Sequence, residues 1–318
     1  MYYDPMIRAL LGALSPAGPR SRLTILIFHR VLSSPDPLFP NEIDATRFER
    51  IISWLSQWFS ILPLSGAVDQ LNRGVLPARA ACITFDDGYR DNVTNALPIL
   101  TRHGATATFF IATGYLGTGR MWNDTIIESV RGMSKPQLNA SGVGAGILPV
   151  RTPSEKREAI RQLIAHLKYR NHDEREELTT AITEQCNVHL PRDLMMDDSG
   201  VRRLHEAGML IGAHTVDHPI LRLCDENEAR RQISDSRDYL EGVIGEPVRL
   251  FAYPNGKPGT DYTTSQARLV ESLDFQAAVS TAPGASSARD DIFQLRRFTP
   301  WDRKRHRFGL RLAQNLRG

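Results

Sequence analysis

Seven short apolar runs punctuate the chain: "LTILIFH" (23–29), "ACITFDD" (81–87), "ATATFFIAT" (105–113), "MLIGAHT" (209–215), "VRLFAYP" (248–254), "FQAAVST" (275–281) and "FQLRRFT" (293–299). Most are apolar almost throughout rather than alternating with polar residues, the pattern of strands covered on both faces, as in parallel sheets. Between them apolar residues recur at helical spacing, as in "RFERIISWLSQWF" (47–59) and "ENEARRQISDSRDYLEGVIG" (226–245). Strands alternating with helices predict an α/β fold, either a doubly wound sheet or a distorted (β/α) barrel. The barrel, with about seven parallel strands, is the expectation adopted.

One stretch breaks the rhythm. From Met121 to about Gly200 the chain is polar and largely helical in pattern, with a Gly-rich patch "NASGVGAG" and a charged run "NHDEREE". It reads as a helical insertion (about 121–200) in a barrel spanning 23–300. Ahead of the barrel, residues 1–22 carry an apolar patch, Met6 to Leu14, interrupted by Arg8 and lacking a basic lead-in. An amphipathic helix against the domain or a membrane surface fits this better than a cleaved signal peptide, so a cytoplasmic or membrane-peripheral protein is expected. The tail, 301–318, has six Lys or Arg residues against one Asp, and Phe308, Leu312 and Leu316 recur four apart. It predicts a C-terminal helix packed on the barrel or, alternatively, a basic amphipathic helix making peripheral membrane contact.

Composition narrows the picture modestly. At 318 residues, 41% hydrophobic and 24% charged, the chain can bury a sizeable core. A net charge of +3 gives no reason to expect a nucleic-acid partner. Cys82, Cys186 and Cys224 are isolated and read as reduced thiols, not as a disulfide framework or a zinc knuckle.

The candidate chemistry lies where the strands end. His29, the adjacent pair Asp86 and Asp87, Thr113, His214 and Asn255 all close or follow apolar runs, the face at which barrel enzymes assemble their sites. His214 and His218, four apart in "GAHTVDHP", converge on one ion if the segment turns helically. Two imidazoles and a carboxylate make a three-ligand set for Zn²⁺ or a similar ion, with a position left for water. Asp87 can supply the carboxylate, leaving Asp86 beside it as a base for that water. Taken alone, an Asp pair before Gly88 is as readily a capped turn, and an isolated His-x-x-x-His is more often incidental.

Together, "TFDDG" (84–88) and "HTVDH" (214–218) resemble the two signature motifs of the polysaccharide deacetylases, carbohydrate esterase family four. The resemblance runs from about Leu23 to Thr299. It implies a distorted barrel of parallel strands, Asp86 as catalytic base, and Asp87, His214 and His218 holding one divalent metal, usually zinc. The implied substrate is an N-acetylated polysaccharide, and the implied reaction is removal of acetyl groups from N-acetylhexosamine units. A small N-acyl or cyclic amide is the alternative substrate, and a non-catalytic glycan-binding relative a more distant one.

Two motifs depart from the common pattern. The third, ordinarily Arg-x-Pro-Tyr-Gly, is "FAYPNG" here, with Ala252 where the family has the Arg that orients the base. Asn255 stands at the Tyr position, whose backbone N–H helps hold the oxyanion. The late Leu-x-His that furnishes the general acid is absent, since "FQLRRFT" carries Arg296 and Arg297, and guanidinium does not release a proton near neutral pH. "FAYPxG" with an early "ILIFHRV" resembles the subgroup of poly-β-1,6-N-acetylglucosamine deacetylases from biofilm and exopolysaccharide systems, in which a His ending the first strand is the acid. That places the role on His29. Tyr253, Trp122 and Asp124 are the expected substrate contacts.

Overall fold

The computed structural model describes residues 3–317. Among the described residues nine strands form: β1 (Thr24–Phe28), β2 (Ser60–Ile61), β3 (Ala80–Phe85), β4 (Thr108–Ile111), β5 (Gln137–Ala140), β6 (Gly146–Pro149), β7 (Leu210–Ala213), β8 (Leu250–Ala252) and β9 (Ala277–Val279). Eleven α-helices accompany them: α1 (Tyr3–Leu14), α2 (Ala45–Trp58), α3 (Leu64–Asn72), α4 (Leu97–Arg102), α5 (Trp122–Gly132), α6 (Pro153–Leu167), α7 (His172–Cys186), α8 (Asp198–Glu206), α9 (Glu226–Ile244), α10 (Thr264–Ser272) and α11 (Arg305–Asn315).

Six strands run parallel in the order β1-β3-β4-β7-β8-β9 and curl towards a barrel. The seventh strand of this sheet is β2, which pairs with the N-terminal end of β3. Two residues of strand are too few for periodicity to reveal. The apolar run 293–299, expected as a strand, instead makes two isolated parallel bridges. Leu295 pairs with Val279 of β9 and Phe298 with Leu26 of β1, so the run ties the two edges of the sheet without becoming a full strand. A turn of 3-10 helix at Ile292–Gln294 occupies its start.

Side chains alternate faces along each strand. Ala81, Ile83 and Phe85 of β3 face the helical layer, as do Phe251 and Tyr253 at β8, in a core where Phe85 stacks on Phe109 at 4.7 Å. The opposite parity, Ile25, Cys82, Leu250, Ala252 and Leu295, fills the barrel interior with Leu64, Val68 and Leu71 of α3 closing it below. Gly212 has no alternative in β7, because a Cβ there would lie 2.4 Å from the Phe110 ring. Continuing the interior parity beyond the strand ends brings out Asp86, His214 and His29. The strands deliver the chemistry to one face.

Between β4 and β7, α5, α6 and α7 share an apolar core of their own, with Leu138, Leu148, Ile160, Leu163 and Ile182 among its buried members. Its Gly-rich patch holds one turn of 3-10 helix, Ser141–Val143, and no α-helix. It turns the antiparallel hairpin β5–β6, since Gly144 and Gly146 take positive φ angles of 80° and 68°. The three cysteines are free thiols, and no helix among the described residues is long and apolar enough to cross a membrane.

The tail forms α11, whose Phe308, Leu312 and Leu316 are buried against the barrel, with Trp54 and Trp58 of α2 stacked near Phe308. That apolar stripe is consumed by packing. Phe308, Leu312 and Leu316 are therefore not available to a bilayer.

Candidate active site

Asp87, His214 and His218 converge at the C-terminal ends of β3 and β7. The Nε2 atoms of both histidines lie 3.4 Å from Asp87 Oδ1, and one ligand atom from each residue falls within 4.8 Å of the others. His214 is fixed from behind, its Nδ1 2.7 Å from the Ala252 carbonyl. That bond makes Nδ1 the donor and turns the Nε2 lone pair towards Asp87, the tautomer a metal ligand needs. Asp87 Oδ1 is buried and has no hydrogen-bond donor among the described residues. A buried carboxylate oxygen without a donor costs free energy, and a cation between it and two imidazoles removes that cost. The donor set therefore fits a divalent ion.

The backbone is bent to achieve this. Asp87, Thr215, His218 and Asn255 adopt positive φ angles of 80°, 66°, 50° and 58°, conformations that cost non-glycine residues of the order of 1 kcal/mol or more unless the surroundings impose them. Gly88, at φ 93°, lets the chain leave the acid pair in a tight turn. Burial pushes the His218 imidazole down to about 3, more than its carboxylate neighbour raises it, so it stands neutral with a lone pair to donate. Burial raises the Asp87 carboxyl, but His214 and His218 outweigh it and hold the group well below the ordinary range.

Asp86 points into the barrel beside this cluster and is only 3% exposed. Its two oxygens accept from Arg297 Nη1 and Nη2 at 2.7 and 2.8 Å, a bidentate pair with the guanidinium itself fully buried. Arg297 is anchored in turn, donating from Nε to the Ser280 carbonyl at 2.7 Å and from Nη1 to Thr84 Oγ1 at 3.3 Å. Burial raises the Asp86 carboxyl, while Arg297 and His214 pull it down further, so it remains ionised and ready to take a proton.

Residues 73–278 match the family model described as "Polysaccharide deacetylase". The chain belongs to this family. Among curated proteins it is 21% identical over 279 residues to the putative polysaccharide deacetylase YxkH of Bacillus subtilis, covering 87% of this chain and 71% of that protein. Among solved structures it is similar to the Streptococcus pyogenes deacetylase PplD, with a TM-score of 0.62 at 18% identity over 93% of this chain and 98% of that one. IcaB from Ammonifex degensii gives a TM-score of 0.59 at 18% identity, over 94% and 98%. At such identities the two structures speak for the fold.

Where the family resemblance led to an Arg at position 252 as the partner of the base, Ala252 offers none, and the guanidinium on Asp86 comes from Arg297 in the run that bridges the two sheet edges. Sequence reasoning considered Arg297 only as a proton donor and missed it as the partner of Asp86. The signal was present: Leu295 and Arg297 share one parity, Arg296 and Phe298 the other, and a buried Arg two residues beyond an interior Leu needs a carboxylate.

His29 is exposed at the mouth, lining a cavity of about 240 Å³ together with Asp87, Tyr89 and Asp124. Asn255, in left-handed conformation, has an N–H with no backbone or side-chain acceptor among the described residues, while its carbonyl accepts from Thr281 Oγ1 at 2.7 Å. Asp124 is 4% exposed. Its Oδ2 accepts from Met121 N at 3.1 Å and its Oδ1 from Tyr89 Oη at 3.2 Å, and burial pushes its carboxyl up to about 6.

Two expected substrate contacts are corrected. Tyr253 lies on the outward parity of β8, fully buried, stacked on Tyr262 at 3.7 Å with its hydroxyl donating to the Phe293 carbonyl. Trp122 is 7% exposed at the start of α5 with the Arg175 guanidinium 5.0 Å over its ring. It anchors the inserted helices and forms no wall at the mouth.

Proposed function

We propose that this deacetylase hydrolyses the N-acetyl groups of an N-acetylhexosamine polysaccharide, using one divalent ion, zinc by preference, held by Asp87, His214 and His218. The observation that carries the reading is the buried, donorless Asp87 Oδ1 facing two oriented imidazoles, with a separately held carboxylate, Asp86, beside it. A divalent ion bound there supplies Lewis acidity towards the acetamide carbonyl and lowers the pKa of water.

The chain's own groups do the rest. Asp86 accepts the proton of the attacking water, and Arg297 fixes both of its oxygens so that the remaining lone pairs face the site. The free Asn255 N–H donates to the oxygen on which negative charge develops. His29, at the mouth, protonates the nitrogen of the departing amine as the carbon–nitrogen bond breaks, giving acetate and a free amine. PplD, solved in complex with acetate, and the family description support deacetylation of a glycan. The early His29 and "FAYPNG" favour the subgroup acting on poly-β-1,6-N-acetylglucosamine.

Acetate release tests this. Oligomers of N-acetylglucosamine should be turned over and the activity lost with a chelator, returning on addition of zinc. Turnover confined to small N-acyl or cyclic amides would move the substrate class, and undiminished activity in chelator would remove the metal.

A further inference from the structure

Helix α1 is apolar on both of its sides. Ile7 and Leu11 enter the core, and Ile7 packs on Gly309 of α11. The opposite face presents Pro5, Met6, Ala9, Leu10 and Ala13, all exposed, with Met6 at 69%. A helix at the surface of a protein in water turns polar residues outward, yet between Pro5 and Leu14 only Arg8 does so. Beside it, α11 exposes Leu310 between Arg307 and Arg317.

Charge is segregated in the same place. Residues 5–22 contain three arginines and residues 303–318 six Lys or Arg, with no Asp or Glu in either stretch. The whole chain is only +3, so the remainder is net acidic. Asp302, just ahead of the second stretch, is tied to Arg311 at 2.7 Å. The face also has a fixed relation to the catalytic end. Ser15, next after α1, accepts from the N–H of Arg79, immediately ahead of β3, whereas Asp86 and Asp87 follow the other end of that strand.

We propose that the paired α1–α11 face seats the protein on an anionic lipid bilayer. Met6, Leu10 and Leu310 enter the boundary between headgroups and acyl chains, and the exposed Arg8, Arg307 and Arg317 pair with lipid phosphates. The catalytic mouth then faces away from the lipid, towards polymer in water. A second copy of the chain is a poorer occupant because two such faces bring like charges together, and a nucleic acid offers nothing to the apolar side chains. This inference is independent of the substrate.

Co-sedimentation of the full chain with phosphatidylcholine vesicles, with and without phosphatidylglycerol, tests it. The protein should pellet with the anionic vesicles and bind them about tenfold more weakly at high salt. Met6→Asp with Leu10→Asp should weaken binding by about tenfold or more, and so should Arg307→Glu with Arg317→Glu, both with unchanged thermal unfolding. Absence of pelleting by the wild-type chain overturns the proposal, as does equal pelleting of both double variants. So does a dimer in sedimentation velocity that Leu10→Asp disrupts while anionic vesicles leave the protein unbound, since the face then belongs to a second copy.

Discussion

A carboxylate buried inside a barrel is tolerable only if its charge is met, and Asp86 meets it in the two-pronged bond to Arg297. Arg297→Lys keeps the charge and loses the fork. It should retain the metal, by elemental analysis, and lose about 10²-fold in kcat, the scale expected when a catalytic group is displaced by about an ångström. Arg297→Met removes the charge. Asp86 is then less easily ionised, and since a base works only above its pKa, the acid limb of the pH–rate profile should move to higher pH. An unmoved limb would show that Arg297 does not tune Asp86. Asp86→Asn should keep the ion and abolish turnover, whereas His218→Ala should lose most of the ion, because two protein ligands hold an open site poorly. At the mouth, His29→Ala should lower kcat by ~10²–10⁴-fold with the metal retained. His306, exposed on α11, should tolerate alanine. The reverse pattern would move the acid role.

One side chain of the inserted helices supports the loop that carries His218. Arg175 of α7, 2% exposed, donates to the Asp217 carbonyl at 3.2 Å, and Tyr115 Oη donates to the same oxygen at 3.2 Å. Gln232 of α9 completes the grip, its Oε1 accepting from Val216 N and Asp217 N at 3.1 and 2.9 Å. These bonds hold the loop in which Thr215 and His218 are twisted into left-handed conformation. Arg175→Met should therefore weaken zinc affinity by about 10–100-fold in a chelator competition, the usual effect of losing a ligand's support. Unchanged affinity would confine Arg175 to packing. In the same insertion, Asp124 has its carboxyl raised by burial from 3.8 to about 6. For an acid raised on folding, the native state prefers the protonated form, so stability is lost as pH rises between those values. Roughly 3 kcal/mol is at stake at about 1.4 kcal/mol per unit. Denaturant unfolding at pH 4 and pH 7 should show that Asp124→Asn loses less stability over this interval than the wild type.

At the scale of the whole molecule, the two terminal helices clasp each other and α2 outside the sheet, while the C-terminal strand ends carry the chemistry. Leu312, fully buried between α11 and the barrel, gauges the clasp. Leu312→Ala should cost ~2–5 kcal/mol of unfolding free energy, seen as a lower Tm, with kcat/KM unchanged at temperatures where the variant stays folded. A proportionate loss of kcat/KM there would mean that the clasp shapes the site.

Local pattern was enough for much of this. Apolar runs named the six strands β1, β3, β4, β7, β8 and β9 because a strand covered on both faces has no polar parity, and the residues closing those runs became the site because parallel strands present their C-terminal ends together. The pairing of Asp86 with Arg297 spans 211 positions and belongs to no local pattern, and it exists only because the run 293–299 closes the sheet beside β1. Parity withdrew Tyr253 from the site, since one step along β8 separates the interior from the helical layer. Burial withdrew Trp122, and the barrel claimed the apolar stripe of α11. A sequence states which side chains carry apolar surface or charge. Only the tertiary structure decides which of those surfaces are already covered and which charges are already met.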